Sequence, residues 1–196
     1  MKPLILASSS NYRKTQLQTL GVPFSCVSPN INESAQPNET ASHLAQRLAA
    51  EKARAVAHAF PNALIIGSDQ TLAFEQKILG KPGTYEAAFQ QLKMLNGKTV
   101  VLHSALALLN TANQQLQQTI VPTTVRYRTL TDEQIAHYLE KDNPFDCAGS
   151  CKCESLGIAL LESVQSDDPS ALIGLPLIAL TTMLNNAELS PLQARS

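Results

Sequence analysis

Several short segments carry residue types suited to phosphate chemistry. Leu6-Ala7-Ser8-Ser9-Ser10-Asn11-Tyr12-Arg13-Lys14 joins an apolar run to a helical pattern through three serines. Such a junction offers hydroxyls and free backbone N–H groups at a helix start, which favours anions. Arg13 can hold a phosphate through two hydrogen bonds. Taken alone, the segment reads more readily as a serine N-cap with surface cations. Asp69, in Gly67-Ser68-Asp69-Gln70, follows the apolar run 63–67. A carboxylate past the end of a buried strand sits where α/β folds place ligands; in isolation it reads equally as a loop aspartate that caps a turn. Lys52 shares a helical stripe with Leu44, Leu48 and Val56, each four apart. Such a lysine either snorkels to solvent or reaches into a cleft. Lys81 stands on the stiff turn Gly80-Lys81-Pro82-Gly83, and Glu33 lies in a polar loop.

Other motifs fail on inspection. Asn96-Gly97-Lys98-Thr99 looks like the end of a P-loop, but the glycine that motif needs at position 92 is Leu92. No Gly-x-Ser-x-Gly surrounds Ser150, so there is no nucleophile elbow. His43, His58, His103 and His137 lack metal-ligand spacing. Cys147, Cys151 and Cys153 follow C-x3-C-x-C, not the paired C-x2-C of structural zinc sites; with Cys26 they read as reduced thiols. A net charge of −1 argues against binding nucleic-acid polymers or anionic membranes, though a few local cations suffice for a small anion. The first apolar run is too short for a secretion signal and no stretch is long enough to span a bilayer. The expected location is the cytoplasm.

These residues need elements to hold them. The 196 residues, 44% hydrophobic and 16% charged, suffice for one domain with a real core. Strands are expected at 4–7, 24–28, 63–67, 100–109, 119–127 and 157–164. Helices are expected at 11–20, 40–60, 84–95, 131–140 and 175–186, with a helical start at Asp167-Asp168-Pro169. Loops cover 30–38, 78–83 and 142–155, and the polar tail after about 187 is expected to be flexible. Alternating helices and strands, interrupted by a long hairpin, predict mixed α/β architecture: one domain, with two lobes around a cleft.

Taken in order, Leu-Ala-Ser-Ser-Ser-x-x-Arg, Glu33, Glu51-Lys52, Gly67-Ser68-Asp69-Gln70, Gly80-Lys81-Pro82 and Cys147-Ala148-Gly149-Ser150 resemble the Maf family over residues 3 to 186. Ser-Asp-Gln and Gly174-Leu175-Pro176-Leu177-Ile178-Ala179-Leu180 resemble most its YceF-type branch, the 7-methyl-GTP pyrophosphatases. The resemblance implies a Maf/ITPase-like mixed sheet with flanking helices and a homodimer. It also implies hydrolysis of a nucleotide to its monophosphate and pyrophosphate, a house-cleaning role against modified nucleotides. By motif, Asp69 is the proton acceptor, and Ser8, Arg13, Glu33, Lys52 and Lys81 line the cleft. Tyr12, Gln70 and Glu154 match positions that choose the base. Glu33 and Asp69 would share a divalent cation, Mg²⁺ or Mn²⁺. A cationic 7-methylguanine suits the face of Tyr12 and the acceptor-only carboxylate of Glu154. Three departures, Asn32 for Asp, Ser104-Ala105 for Thr-Gly, and Cys151-Lys152-Cys153 for Phe-Lys-Ser, bear on metal affinity and substrate choice. The alternatives are a dTTP/UTP pyrophosphatase of the same family and a non-catalytic, nucleotide-sensing regulator of cell division and septum formation.

Overall fold

Strand β1 (Leu4–Ala7) is buried at all four positions. A wholly apolar strand needs cover on both faces, and the chain supplies it. The computed structural model describes residues 2–75 and 77–193. After β1 come α1 (Asn11–Gln18), β2 (Ser25–Val27), α2 (Ala41–Ala57), β3 (Leu64–Phe74), β4 (Lys77–Leu79) and α3 (Tyr85–Leu95). They are followed by β5 (Thr99–Asn110), β6 (Gln115–Tyr127), α4 (Asp132–Asp142), β7 (Leu161–Gln165) and α5 (Leu177–Asn186). The strands form one seven-stranded sheet in the order β2-β1-β3-β5-β6-β7, with β4 on β3. β1 pairs in parallel with β2 and β3, and the remaining pairs are antiparallel. This is the mixed α/β sheet expected from the sequence.

Side chains alternate across a strand, so β3 serves two cores. Leu64 and Ile66 join Leu4, Leu6, Leu106 and Leu108 on the face covered by Leu17 of α1 and Leu180, Met183 and Leu184 of α5. Ile65 joins Ile5, Ala7 and Leu109 under Ala53 and Val56 of α2. The alanines that mark α2 have a packing reason. A Cβ on Gly67 would lie 2.0 Å from the Ala49 carbonyl oxygen and 2.9 Å from the Ala53 nitrogen, so only glycine admits the helix this close. A third cluster, around Leu92, Leu95, Leu102, Ile135 and Leu139, fills the far end of the long strands. Between these cores, β3 and β5 carry buried Ser68, Asp69, Thr71 and Ser104. This polar waist separates the two packed regions.

Several boundaries differ from the sequence reading. The run at 63–67 is only the first half of β3; the strand continues to Phe74 because β5 pairs with it up to Ala73↔Val101. Asp69 therefore lies within the strand rather than past its end. The expected loop 78–83 contains most of β4, which returns along Leu72 to Phe74. β6 begins at Gln115, since the polar residues before Thr119 pair with β5 as well as apolar ones do. The strand expected from Gly157 starts at Leu161, after a 3₁₀ turn over Leu156–Leu160. The loop-like stretch 142–155 holds a 3₁₀ turn at Ala148–Ser150. α5 starts at Leu177, because Gly174, at φ +109°, ends the preceding turn (Pro169–Ile173) and Pro176 is the N-cap. Of the tail after 187, Leu189 packs against the second core, and 194–196 lie outside the described residues.

Candidate active site

β1 pairs with β3 only as far as Gly67, and β4 only from Leu72. Residues 68–71 thus have β5 on one side and, among the described residues, no strand on the other. The gap opens into a cleft of about 670 Å³. Ser8, Tyr12, Arg13, Glu33, Lys52, Asp69, Gln70, Lys81 and Glu154 all line it. The sequence-predicted site residues, from well-separated parts of the chain, therefore meet in one place. Lys14, the second cation of the serine segment, is exposed and does not line the cleft.

The floor is an ion cluster on the α2 face. Asp69 points the same way as Gly67, two residues earlier, toward the helix that Gly67 admits. Lys52 is 5% exposed and does not snorkel out. Its Nζ donates to Asp69 Oδ1 at 2.6 Å and lies 2.7 Å from Glu33 Oε1. Asp69 Oδ2 has no protein donor among the described residues. Burial would raise the Glu33 carboxyl, but Lys52, Lys81 and Arg13 outweigh it and hold the group below the ordinary range. Burial pulls the Arg13 guanidinium down, while Asp69 and Glu33 push it back up.

Above this floor sits the start of α1. Ser10 caps the helix by accepting from Arg13 N at 3.4 Å, and Ser8 Oγ accepts from Ser10 N at 3.1 Å. Arg13 Nε donates to the Gly174 carbonyl at 3.0 Å, which leaves both Nη groups for an anion. The Tyr12 phenol is pushed up to about 12, first by burial and then by Cys147, Asp146 and Glu154. Glu154 is likewise raised, by burial first and then by Asp142 and Asp146, against the pull of its own backbone and Lys152. Tyr12 and Glu154 line the cleft together with Asp146, which makes this part of the lining acidic.

Gln70 is placed otherwise than its neighbour suggests. It faces away from α2, and the two hydrogens of its Nε2 are shared among Ser104 Oγ (2.9 Å), the Ala171 carbonyl (2.9 Å) and the Leu172 carbonyl (3.1 Å). It lines the cleft with its nitrogen already held. Ser68, Ser104 and Asp168 fix this region; the sequence reading gave Ser68 and Asp168 no site role and noted Ser104 only as a departure from the family pattern. A lone serine in the apolar run Val100 to Leu109 was a signal for Ser104. Asp168-Pro169-Ser170, with proline pre-set for a helical start, was one for Asp168. The cysteines are free thiols; Cys151 Sγ and Cys153 Sγ are 3.6 Å apart. Burial pushes Cys147 up to about 12, while a hydrogen bond to Cys153 and burial push Cys151 well up, so neither is a ready thiolate.

The carboxylates suit a hard cation. Glu33 and Asp69 already gather their oxygens around one positive charge, the Lys52 ammonium. Carboxylate oxygens are the ligand type that a hard divalent cation takes. Among the described residues no group of three or more His, Cys, Asp or Glu forms a metal cage.

The chain is similar over most of its length to proteins already known. A protein of Methylobacillus flagellatus named 7-methyl-GTP pyrophosphatase is 54% identical over 184 residues, 94% of this chain and 96% of that one. Proteins of the same name from Thiobacillus denitrificans and Saccharophagus degradans are 52% and 50% identical, over 92% and 96% of this chain and 90% and 96% of theirs. Among solved structures, the Ham1 protein of Staphylococcus aureus aligns with 64% of this chain and 72% of its own, at a TM-score of 0.46 and 14% identity. The family described as Maf-like protein matches residues 3–187, and the chain belongs to it.

Proposed function

We propose that the protein is a nucleoside-triphosphate pyrophosphatase that hydrolyses 7-methyl-GTP to 7-methyl-GMP and pyrophosphate. One observation carries the reading: Asp69, Lys52 and Glu33 meet at hydrogen-bond distance on the floor of a cleft that Arg13 and Lys81 also line. Relatives about half identical over nearly their whole length bear the name of that activity.

Phosphoryl chemistry is mostly charge neutralisation and positioning. Arg13 Nη groups, Lys81 and the first turn of α1 bind the triphosphate. Lys52 holds Asp69 by Oδ1, so that Oδ2 takes the proton of the attacking water. A lone carboxylate is a weak base toward water at neutral pH. A divalent cation on Glu33 and Asp69 would supply a more acidic water and neutralise phosphate charge. The acidic lining around Tyr12 and Glu154 accounts for selection of a cationic base, the ring attracting it by about 0.5–2 kcal/mol. Gln70, with its nitrogen held, offers the base its carbonyl oxygen. The role we propose is house-cleaning in the cytoplasm by a homodimer. No described helix is long and apolar enough to cross a membrane.

The test is a product assay with 7-methyl-GTP, GTP, dTTP and UTP, each with Mg²⁺, with Mn²⁺ and with chelator. Pyrophosphate and 7-methyl-GMP from the first substrate, dependent on metal, are expected. Preference for dTTP or UTP would reassign the substrate. Binding without pyrophosphate release from any of them would make the protein a sensor instead.

A further inference from the structure

Residues 168–176 run along the face of the sheet opposite α2 and turn one backbone carbonyl toward α1 and three toward the polar waist. The Ser170 carbonyl accepts from Gln16 Nε2 at 2.7 Å. The Ala171 carbonyl accepts from Ser104 Oγ (2.7 Å) and Gln70 Nε2 (2.9 Å), and the Leu172 carbonyl accepts from Gln70 Nε2 (3.1 Å). The Gly174 carbonyl accepts from Arg13 Nε (3.0 Å) and Ser68 Oγ (2.8 Å). Arg13 and Gln70 are thus aimed by main-chain carbonyls, whose direction depends on how firmly the segment is held.

One buried carboxylate holds it at both ends. Asp168 is 3% exposed. Its Oδ1 accepts from Ser170 N (3.2 Å) and from the Ser170 hydroxyl. Its Oδ2 accepts from Ile178 N (2.8 Å) and Ala179 N (3.1 Å), in the first turn of α5. Ser170 Oγ accepts in turn from Leu177 N at 2.6 Å. A negative charge at a helix start is favourable, and four donors to one buried carboxylate make a stiff clamp. Asp168 itself does not line the cleft.

We infer that Asp168 is a positioning residue for substrate binding. Through the carbonyls of 171–174 it sets where Arg13 meets phosphate and where Gln70 meets the base. The inference rests on the pyrophosphatase reading above. The cluster of Lys52, Asp69 and Glu33 lies on the other face of β3 and makes no hydrogen bond with the segment among the described residues. Loosening the clamp therefore weakens binding and spares chemistry.

The experiment is steady-state kinetics of Asp168→Asn and Ser170→Ala with 7-methyl-GTP and GTP, beside thermal unfolding. Asn keeps the shape and removes the charge; Ala removes only the hydroxyl link and serves if the first variant does not fold. Expected is a KM for 7-methyl-GTP raised about three- to tenfold, with kcat within about twofold and a narrowed preference over GTP. A lowered melting temperature with unchanged KM and preference would overturn the inference and leave Asp168 structural. If the wild type releases no pyrophosphate, the functional reading fails, and dissociation constants for 7-methyl-GTP decide the inference alone. Equal constants in wild type and variants would overturn it.

Discussion

The two faces of β3 at its polar waist are built on opposite plans. On the α2 face, Asp69, Lys52 and Glu33 form a compact cluster of charges whose Asp69 Oδ2 and half-exposed Glu33 open into the cleft. On the α5 face, Ser68, Gln70 and Ser104 are neutral and their hydrogens go to main-chain carbonyls. Adjacent residues, Asp69 and Gln70, thereby do different work. A charge close to a cleft keeps spare bonding capacity for substrate and cation, whereas a neutral network satisfied by backbone has little left and serves as a frame. Side-chain alternation along a strand lets four consecutive residues supply both.

The comparison breaks most visibly at Asp69. Asp69→Asn keeps the shape but removes the proposed proton acceptor, and turnover should fall by about 10²–10⁴, measured as pyrophosphate release. Far-UV circular dichroism should stay unchanged. Retained turnover would move the base elsewhere. The next effect is on the frame of the charged face. Gly67→Ala places a methyl in the 2.0 Å gap to the Ala49 carbonyl, a backbone atom that yields only if α2 moves. A loss of about 1–3 kcal/mol or more is expected, read from the denaturation midpoint. A fall in kcat should follow in the folded protein, because Lys52 rides on the same helix. An unchanged midpoint would mean that the helix has slack there.

Much of the charged face was legible in the sequence. Lys52 on an apolar stripe announced either a snorkel or a cleft, and its burial decided for the cleft. Asp69 stood out as a carboxylate after an apolar run. The neutral face was not legible for a physical reason: the strand signal of an apolar run ends at Gly67, while the hydrogen-bonded strand continues through Ser68, Asp69, Gln70 and Thr71. Cutting the strand short hid the alternation that sends Gln70 away from Asp69. The carbonyls that hold Gln70 and Arg13 have no side-chain signature, and their donors lie 101 and 161 positions away.

Acid should dissolve the charged cluster before it touches the neutral one. Glu33 titrates below its ordinary value of 4.5 in the folded protein, so the folded state binds fewer protons than the unfolded chain. The stability it lends is complete above pH 4.5 and fades as the pH falls through the folded value. Glu33→Gln should therefore show a constant deficit in unfolding midpoint at neutral pH that shrinks below about pH 4.5. With its side chain 54% exposed, solvent screening keeps the deficit small. A deficit that persists undiminished in acid would trace to lost packing and not to the ion pair.

The smallest change is the control that gives the others meaning. Thr131 caps α4 in a reciprocal box: its Oγ1 accepts from Gln134 N at 3.2 Å, and Gln134 Oε1 accepts from Thr131 N at 2.9 Å. α4 packs in the core at the far end of the strands, and neither Thr131 nor Gln134 lines the cleft. Thr131→Ala should cost about 1 kcal/mol, seen as a lower melting temperature, with KM, kcat and base preference unchanged. That is the signature of a residue that only stabilises, and it is what Asp168→Asn must not reproduce. If KM rose for Thr131→Ala as well, any loss of stability would reach the cleft. The neutral face could then no longer be separated from the rest of the fold as the frame that positions substrate.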